Sequence, residues 1–513
     1  MNGALGTPEL ELFQRAIAER LGLRFDDGRL TFLAEVLARR VEARRLSSGA
    51  YLAALLAKLE ATDELSELAR ELTVGETYFF RHLDQFNALR EVALPERLSA
   101  RAMSRSLRLL SAGCASGEEP YSLAILLRER GLGPGFEASV LGLELNPESL
   151  AKAMAALYTP WSLRETPAEI RDRWFTKEGR DFRLVRSLRE SVRFAQHNLI
   201  LDAPTLLPPA SYDVIFCRNV LMYFTPAHAA AIVERLARAL APGGFLFLGH
   251  AETLRGLSHA FHLRHTHNTF YYQRRDGADL GTVASEPELI GTIGAPIEEV
   301  AAPESDWAGQ WLTTVARSSE RILQLNQGSS QRASAIEAPR RRDETADGGL
   351  SQPLELLRGD RFAEALEAMH LLSASEKADP AALLLRAALL THQGELVEAE
   401  SACHDLLRRD DLNAGAHYLL ALCNERRGQI PTAIEHDRTA IYLDADFAMP
   451  HLHLGLMARR RQDPDLARRE LGQALSLLER EEASRLLLFG GGFSRSALLS
   501  LCRSELSNLK GDS

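Results

Sequence analysis

The chain has 513 residues, which is too long for a single hydrophobic core, so we expect two to four domains. Apolar residues make up 45% and charged residues 25% of the chain, which excludes a disordered, collagenous or wholly membrane-embedded protein. The formal net charge of −10 argues against a protein that mainly coats nucleic acid, so no nucleic-acid partner is expected.

The start of the chain and its cysteines indicate a reducing compartment. The first residues, MNGALGTPELEL, include early acidic side chains and lack the apolar segment of a secretory signal. No stretch approaches the 18 apolar residues of a membrane-spanning helix. The cysteines are odd in number, scattered and without CxxC spacing, so neither disulfides nor a metal site is predicted. We expect a cytoplasmic protein without bound metal. The cysteines are Cys114, Cys217, Cys403, Cys423 and Cys502.

Residues 8–95 show helical spacing and almost no strand pattern. Leu30, Leu33, Leu37 and Val41, for example, recur at the intervals of one helix face. This pattern predicts an all-α N-terminal domain.

Between residues 96 and 275 short apolar runs alternate with helical patterns. Such alternation predicts an α/β domain with a doubly wound, mostly parallel sheet of the Rossmann-like kind. A strand–turn–strand pattern within 158–198 predicts a small antiparallel insertion. The expected buried strands are 107–113, 139–145, 212–218 and 243–249.

Residues 276–349 are rich in Gly, Ser, Pro, Ala and charge, which predicts a flexible linker. Trp307 and Trp311 within it are interpreted as part of a transient helix, although a short docking helix is the alternative.

A 34-residue period follows the linker. Ala365, Ala399, Ala433 and Ala467 are each 34 residues apart, and other small residues keep the same spacing. Small residues at fixed places let two helices approach closely and let the next pair stack on them. The period resembles that of tetratricopeptide repeats and predicts an all-α solenoid. We assign repeats to 350–485, with units near 380–413, 414–447 and 448–481, and a C-terminal tail to 486–513.

The segment SAGCASGEEPYS follows the first strand of the α/β domain. Gly113 and Gly117 permit a tight turn in which the backbone can approach a ligand at a helix N-terminus. The second strand ends in LELN, where Glu144 or Asn146 has the position of a ribose-binding side chain. Taken alone, close packing and helix capping explain these residues equally well.

Four distinctive segments follow one another along the chain: ETYFFR, SAGCASGEEPYS, YDVIFCRNVLMYF and GGFLFLGHAETL. Together they resemble the CheR-type chemotaxis receptor methyltransferases over residues 10–275. The resemblance implies that S-adenosylmethionine donates a methyl group to glutamate side chains of chemoreceptor cytoplasmic domains, leaving S-adenosylhomocysteine. The cytoplasmic receptor domains are then the expected partners, and any contact with membrane arrays runs through them.

The resemblance also implies the site residues. Arg81, Arg218 and Tyr223 are expected to orient the acceptor carboxylate, because methyl transfer requires alignment rather than a strong base. An interdomain ion pair for Arg81 and a packed ring for Tyr223 are the alternatives. Gly75 stands where the family usually has Asn, and Glu144 where it commonly has Asp. The implied cofactor-binding residues are Gly75, Thr77, Arg81, Ala112, Gly113, Glu118, Glu119, Glu144, Asn198, Leu199, Cys217 and Arg218.

A basic run in the N-terminal domain, VLARRVEARR, suggests a substrate contact. Arg40 and Arg44 are four residues apart and share a helix face, with Arg39 and Arg45 beside them. A solvated surface is the alternative, but the resemblance implies that this helix binds acidic receptor helices. We therefore expect charge reversal at Arg40 and Arg44 to weaken receptor methylation and to leave cofactor binding intact.

Two other functions remain open at this point. The first is a catalytically weak scaffold that acts through its repeats, which only the unusual Gly75 supports. The second is a methyltransferase for a small molecule. In the main interpretation the repeats recruit or regulate a protein partner.

Overall fold

The computed structural model divides into two units, Met1–Ser285 and Glu286–Ser513. The predicted linker, with Trp307 and Trp311, lies outside the residues that the structure describes. The described residues are 7–25, 27–57, 62–73, 75–275, 350–358, 361–491 and 493–511.

The N-terminal region is a bundle of amphipathic helices, as the spacing predicts. Phe13, Leu33, Leu37 and Leu52 are almost completely buried between the helices, which accounts for their periodic placement. A π-helical turn, Leu89–Ala93, joins the last two helices and leads to the sheet. The helices are α1 (Thr7–Leu21), α2 (Leu30–Arg44), α3 (Ser48–Leu56), α4 (Thr62–Leu72), α5 (Leu83–Ala88) and α6 (Leu94–Ala100).

The predicted α/β domain is present. Its strands are β1 (Ser106–Ala112), β2 (Glu137–Glu144), β3 (Leu157–Tyr158), β4 (Phe175–Glu178), β5 (Asp181–Leu184), β6 (Val192–Gln196), β7 (Tyr212–Cys217), β8 (Leu240–Leu248), β9 (Phe261–Thr266) and β10 (Thr269–Arg274). Its helices are α7 (Glu118–Arg130), α8 (Pro147–Ala155), α9 (Ala168–Trp174), α10 (Arg186–Arg189) and α11 (Pro226–Ala239).

A seven-stranded sheet has the order β6-β2-β1-β7-β8-β10-β9. The first five strands are parallel, and β10 runs antiparallel to β8 and β9. Because β2, β1 and β7 are parallel neighbours, their carboxyl ends meet at one edge of the sheet. That edge holds the segments that the sequence singled out.

A small antiparallel sheet of β3, β5 and β4 confirms the predicted insertion. Its extent differs from the prediction, because VRFAQ does not belong to it. That segment is β6, which pairs parallel with β2, with Val192 opposite Val140. The strand–turn–strand pattern was therefore two strands of different sheets.

The 34-residue period produces stacked helix pairs. The periodic alanines Ala365, Ala399, Ala433 and Ala467 are completely buried, where any larger side chain would separate the helices. A leading pair, Ser351–Arg358 and Phe362–His370, precedes three regular ones. Repeat one is Pro380–Gln393 with Leu396–Leu407, repeat two is Ala414–Arg426 with Ile430–Leu443, and repeat three is Ala448–Arg460 with Pro464–Leu478.

The end of the chain is helical and packs on the repeats. It contains the helices Ala483–Phe489 and Arg495–Gly511. The second helix contacts repeat three, where Arg459 forms an ion pair with Glu505 and Arg468 donates to the Leu509 carbonyl.

All five cysteines are buried free thiols, and burial raises their pKa values, to about 11 for Cys423 and about 12 for Cys502. Among the described residues, no helix combines the length and the apolar character needed to cross a bilayer.

Candidate functional site

A cleft opens at the carboxyl ends of β1, β2 and β7. The segments that follow these strands form one wall. The other wall belongs to the N-terminal helical region, through residues 23–25 between α1 and α2 and through Leu72 and Thr73 at the end of α4. The cleft is therefore built jointly by the two regions that the sequence analysis treated as separate domains.

The first turn of the cleft requires glycine. Gly113 has φ +77°, and a Cβ on it would lie 2.5 Å from Val220 Cγ2 in the loop after β7. Gly117, at the start of α7, has φ +92°, and its Cβ would lie 2.7 Å from that of Ala153. Close packing thus explains both glycines, and Gly113 also lines the cleft.

Glu144 ends β2 and is fixed by backbone donors. Its Oε2 accepts from the Ala115 amide at 2.9 Å, and its Oε1 accepts from the Asn146 amide at 2.8 Å. Burial raises the pKa of this carboxyl, and the amide donors partly oppose that rise. Asn146, the other residue considered for this role, instead caps α8 through its side chain.

The loop after β6 completes this wall. Asn198 donates to the Arg20 carbonyl at 3.1 Å, and Leu199 lies beside it in the cleft. His197 Nε2 and Asn219 Oδ1 are buried without a hydrogen-bond partner in the described part of the chain, although both residues line the cleft. Burial also lowers the pKa of His197, so its ring is neutral. Unsatisfied polar atoms of this kind fit a site that receives a polar ligand.

The N-terminal region is hydrogen-bonded directly to the loop after β7. The Arg24 amide donates to the Tyr223 carbonyl at 2.8 Å, and Leu23 and Phe224 form a β-bridge. Gly22, with φ +77°, permits this approach, because its Cβ would lie 2.4 Å from Ile200 Cγ2. Sequence reasoning missed this connection, since the two segments are about 200 residues apart in the chain.

Arg218 and Glu119 form a buried ion pair beside the cleft. Arg218 Nη1 lies 3.4 Å from Glu119 Oε2, and the Ser111 hydroxyl donates to Glu119 Oε1 at 2.7 Å. Burial lowers the pKa of Arg218 and raises that of Glu119. Arg218 Nη2 also donates to the Arg81 carbonyl at 2.5 Å, which fastens the ETYFFR segment to the end of β7.

Glu252 is a further residue that sequence reasoning missed. Its buried carboxylate accepts from the amides of Gly249, Asn219, Val220 and Met222, at 2.7 to 3.2 Å. It therefore fixes the loop after β7, which carries Tyr223. The acid in the GHAETL segment was the available signal, but its sequence distance from that loop concealed the contact.

The predicted cofactor and acceptor residues separate into two groups. Gly113, Glu144, Asn198, Leu199 and Tyr223 line the cleft. The others lie at the strand ends or in the segments that support it. Ala112 and Cys217 are buried in their strands, and Glu118 is buried with the Ser116 hydroxyl 2.7 Å away. The remaining members of the second group are Gly75, Thr77, Arg81, Glu119 and Arg218.

Of the four arginines in the basic run of α2, Arg40 is buried, Arg44 is half-buried, and Arg39 and Arg45 are exposed. Arg40 is buried and donates to Glu64 at 2.8 and 2.9 Å, while Tyr51 donates to the same carboxylate at 2.8 Å. Arg39 pairs with Glu71 at 2.8 Å and Arg44 with Glu64 at 3.3 Å. The prediction that Arg40 contacts an acidic substrate is therefore wrong, because the acids of α4 already bind it.

The comparisons with known proteins agree with this site. Residues 75–270 match the model "CheR methyltransferase, SAM binding domain". The probable biofilm formation methyltransferase WspC of Pseudomonas putida is 30% identical over 466 residues, covering 89% of this chain and 96% of that protein. The chain belongs to the CheR methyltransferase family.

Two chemotaxis methyltransferases match about half of the chain. The chemotaxis protein methyltransferase 2 of Vibrio cholerae is 32% identical over 270 residues, 52% of this chain and 92% of that protein. The chemotaxis protein methyltransferase of Escherichia coli is 31% identical over 266 residues, 51% of this chain and 90% of that protein. The cofactor of this CheR methyltransferase is S-adenosylmethionine, and the unsatisfied atoms of the cleft fit so polar a molecule.

Proposed function

We propose that the protein works in the cytoplasm and methylates glutamate side chains in the cytoplasmic domains of chemoreceptor-type proteins. The products are glutamate methyl esters and S-adenosylhomocysteine. The observation that carries this proposal is the cleft at the ends of β1, β2 and β7, closed on its other side by the N-terminal helices. The names of the relatives, which refer to chemotaxis and biofilm formation, support the substrate class.

Four residues of the cleft are proposed to hold the cofactor. The Glu144 carboxylate keeps lone pairs for hydroxyl donors even after accepting its two amide bonds. Gly113 lets the chain come close without a side chain in between. Asn198 and Leu199 supply a polar and an apolar surface at the same wall. When bound, S-adenosylmethionine supplies a methyl carbon activated by the adjacent sulfonium.

The acceptor needs orientation and little acid–base assistance. A glutamate carboxylate is already ionised near neutral pH, so the protein must align its oxygen and exclude water. Tyr223 lines the cleft and is proposed to donate to the acceptor carboxylate. Arg218 is assigned a positioning role, because its pair with Glu119 and its bond to the Arg81 carbonyl fix the ETYFFR segment. Arg81 is proposed to attract the acceptor carboxylate from that segment.

The repeats are proposed to recruit or regulate a protein partner. Stacked helix pairs present extended surfaces suited to peptide binding, and the shorter chemotaxis relatives cover only about half of this chain. Exposed Arg45, at the end of α2, remains as a proposed contact for acidic receptor helices, with the exposed Arg39 and the half-buried Arg44.

The test is methyl transfer to purified receptor cytoplasmic fragments with radiolabelled cofactor. We expect label that alkali releases as methanol, and a loss of about 10- to 100-fold in Tyr223→Phe with cofactor affinity kept. Receptor fragments with the acceptor glutamates changed to alanine are the control. Alkali-stable label, or no transfer by protein that binds the cofactor, would overturn the proposal.

A further inference from the structure

The short helix Ala483–Phe489 lies across the first helices of the repeats. The Phe489 ring centroid is 5.9 Å from that of Tyr418 in repeat two and 5.0 Å from that of Phe447 at the start of repeat three. His392, in the first helix of repeat one, has Nε2 3.2 Å from the Leu488 carbonyl oxygen. One seven-residue helix thus contacts all three repeats.

The Phe489 side chain packs directly against the backbone of Gly415. A Cβ at Gly415 would lie 2.6 Å from Phe489 Cζ. The residues 34 positions before and after it are Ala381 and Met449, so the repeat itself does not require glycine there. Because glycine inside a helix lowers its stability, the ring that occupies this space is the physical reason for the glycine.

Charged groups orient the helix. Arg485 Nη2 lies 3.0 Å from Asp444 Oδ2, and its guanidinium stands 4.4 Å from the Phe447 ring. Glu481, just before the helix, accepts from the Ala448 amide at 2.8 Å. The bound segment therefore has a basic side chain that meets an acid and a ring, followed one turn later by Phe489 in the aromatic site.

The segment does not fill the whole face. An open pocket lined in part by Leu357, Phe362 and Arg495 lies beside it, while Leu487 and Leu488 pack against the core of the leading helix pair. A seven-residue helix is also too short to be stable alone, so its conformation depends on these contacts.

From these contacts we infer that this face is a binding groove for a short amphipathic helix of a partner protein, and that residues 483–489 are an internal occupant that the partner displaces. The partner helix carries a basic residue followed one turn later by leucine and phenylalanine, as the occupant does. The inference rests on the proposed partner role of the repeats. The partner binds only while the internal occupant is displaced. The apparent partner affinity is therefore the affinity of the open groove multiplied by the fraction of time that the groove is open.

The test uses the full chain and a fluorescent peptide that copies residues 481–490. Arg485→Ala with Phe489→Ala removes the two anchors of the occupant and leaves the groove unchanged. We expect this open variant to bind the peptide about tenfold more tightly than the wild type. Adding Gly415→Met, which copies the residue of repeat three and fills the Phe489 site, returns the affinity to the wild-type value or lower.

Two results would overturn the inference: a folded open variant whose peptide affinity matches the wild type, or binding that Gly415→Met leaves unchanged. If the open variant does not fold, hydrogen exchange of the wild type decides. Amides of 483–489 must then exchange faster than those of 495–511, and equal protection overturns the inference. The readout is peptide binding, so its failure leaves the proposed methylation unaffected.

Discussion

One carboxylate, that of Glu144, connects the glycine turn after β1 to the end of β2. Its two amide donors hold it in place before any ligand arrives, so its orientation costs nothing at the moment of binding. The resemblance predicted the residue, while its pairing with the Ala115 amide required the structure.

Glu144→Gln should weaken binding of S-adenosylhomocysteine about 10- to 100-fold, because a charged acceptor is replaced by a neutral one. Since burial raises the pKa of Glu144, wild-type affinity should also fall on acidification at a higher pH than for an ordinary glutamate, and the variant should lack this dependence. Titration calorimetry at several pH values measures both effects. Glu148→Gln, at an exposed carboxylate paired with Lys152, is the matched control and should bind normally.

Arg40→Met should destabilise the N-terminal region by about 3–5 kcal/mol, because Glu64 stays buried without its main partner. In the wild type, burial acts to raise the pKa of Glu64, but the bonds from Arg40 and Tyr51 outweigh it and hold the pKa low. The stability that the low pKa of Glu64 contributes is fully present above the pKa of Glu64 in the unfolded chain, and it is lost as pH falls through the pKa of the folded state. In the variant the Glu64 pKa should be raised instead, so stability falls as pH rises.

Denaturant unfolding at about pH 5 and pH 8 checks this prediction. Arg39→Met, at an exposed arginine of the same helix, is the control and should change stability by less than about 0.5 kcal/mol. An Arg40 variant as stable as this control would show that the buried pair is dispensable.

At the scale of helices and strands, the sequence was informative where burial alone determines the pattern. The strands β1, β2, β7 and β8 are mostly apolar and mostly buried, because both faces of a parallel sheet are covered. β6 was misassigned because its partner, β2, lies about 50 residues earlier, and local spacing cannot detect that pairing. The acids that bind Arg40 were visible as Glu64, Glu67 and Glu71 on one face of α4, but only tertiary packing shows which face they meet.

The turn between the helices of each repeat needs a left-handed residue. Gly394 and Gly428 have φ of 83° and 77°, and Gln462 takes their place in repeat three with φ 60°. Gln462→Gly should therefore raise the free energy of unfolding by a net amount of about 0.5–1 kcal/mol. The relief of backbone strain in the folded state exceeds the loss that comes from the extra conformational entropy of glycine in the unfolded chain.

Thermal or denaturant unfolding of the repeat unit measures this change. The control is Gln473→Gly, the same substitution inside the helix Pro464–Leu478, which should destabilise by about 1 kcal/mol. If both variants shift stability in the same direction, the turn residue is not strained.

At the scale of the whole molecule, the chain divides into a unit that holds the cleft and a unit that holds the repeats. Each unit has its own hydrophobic core among the described residues, because the core cluster of the sheet and those of the repeats have no residue in common. The 34-residue period and the change of composition near residue 276 predicted this division without any structural information. They did not predict the helices after residue 483, whose contacts lie in earlier repeats.

Residues 1–275 alone should fold and bind S-adenosylhomocysteine within about threefold of the full chain, because every residue that lines the cleft lies before residue 225. Calorimetry on the two proteins measures this. An insoluble fragment, or one without cofactor affinity, would show that the repeats are needed to build the site.

The burial of every cysteine has a practical consequence for chemistry on the intact protein. Oxidants and maleimides react with the thiolate, and raised pKa values leave almost none of it at neutral pH. Peroxide exposure should therefore leave the native thiols unmodified while the fold is intact. One cysteine introduced at the surface would be the preferred target of a dye or spin label, without removal of any native cysteine.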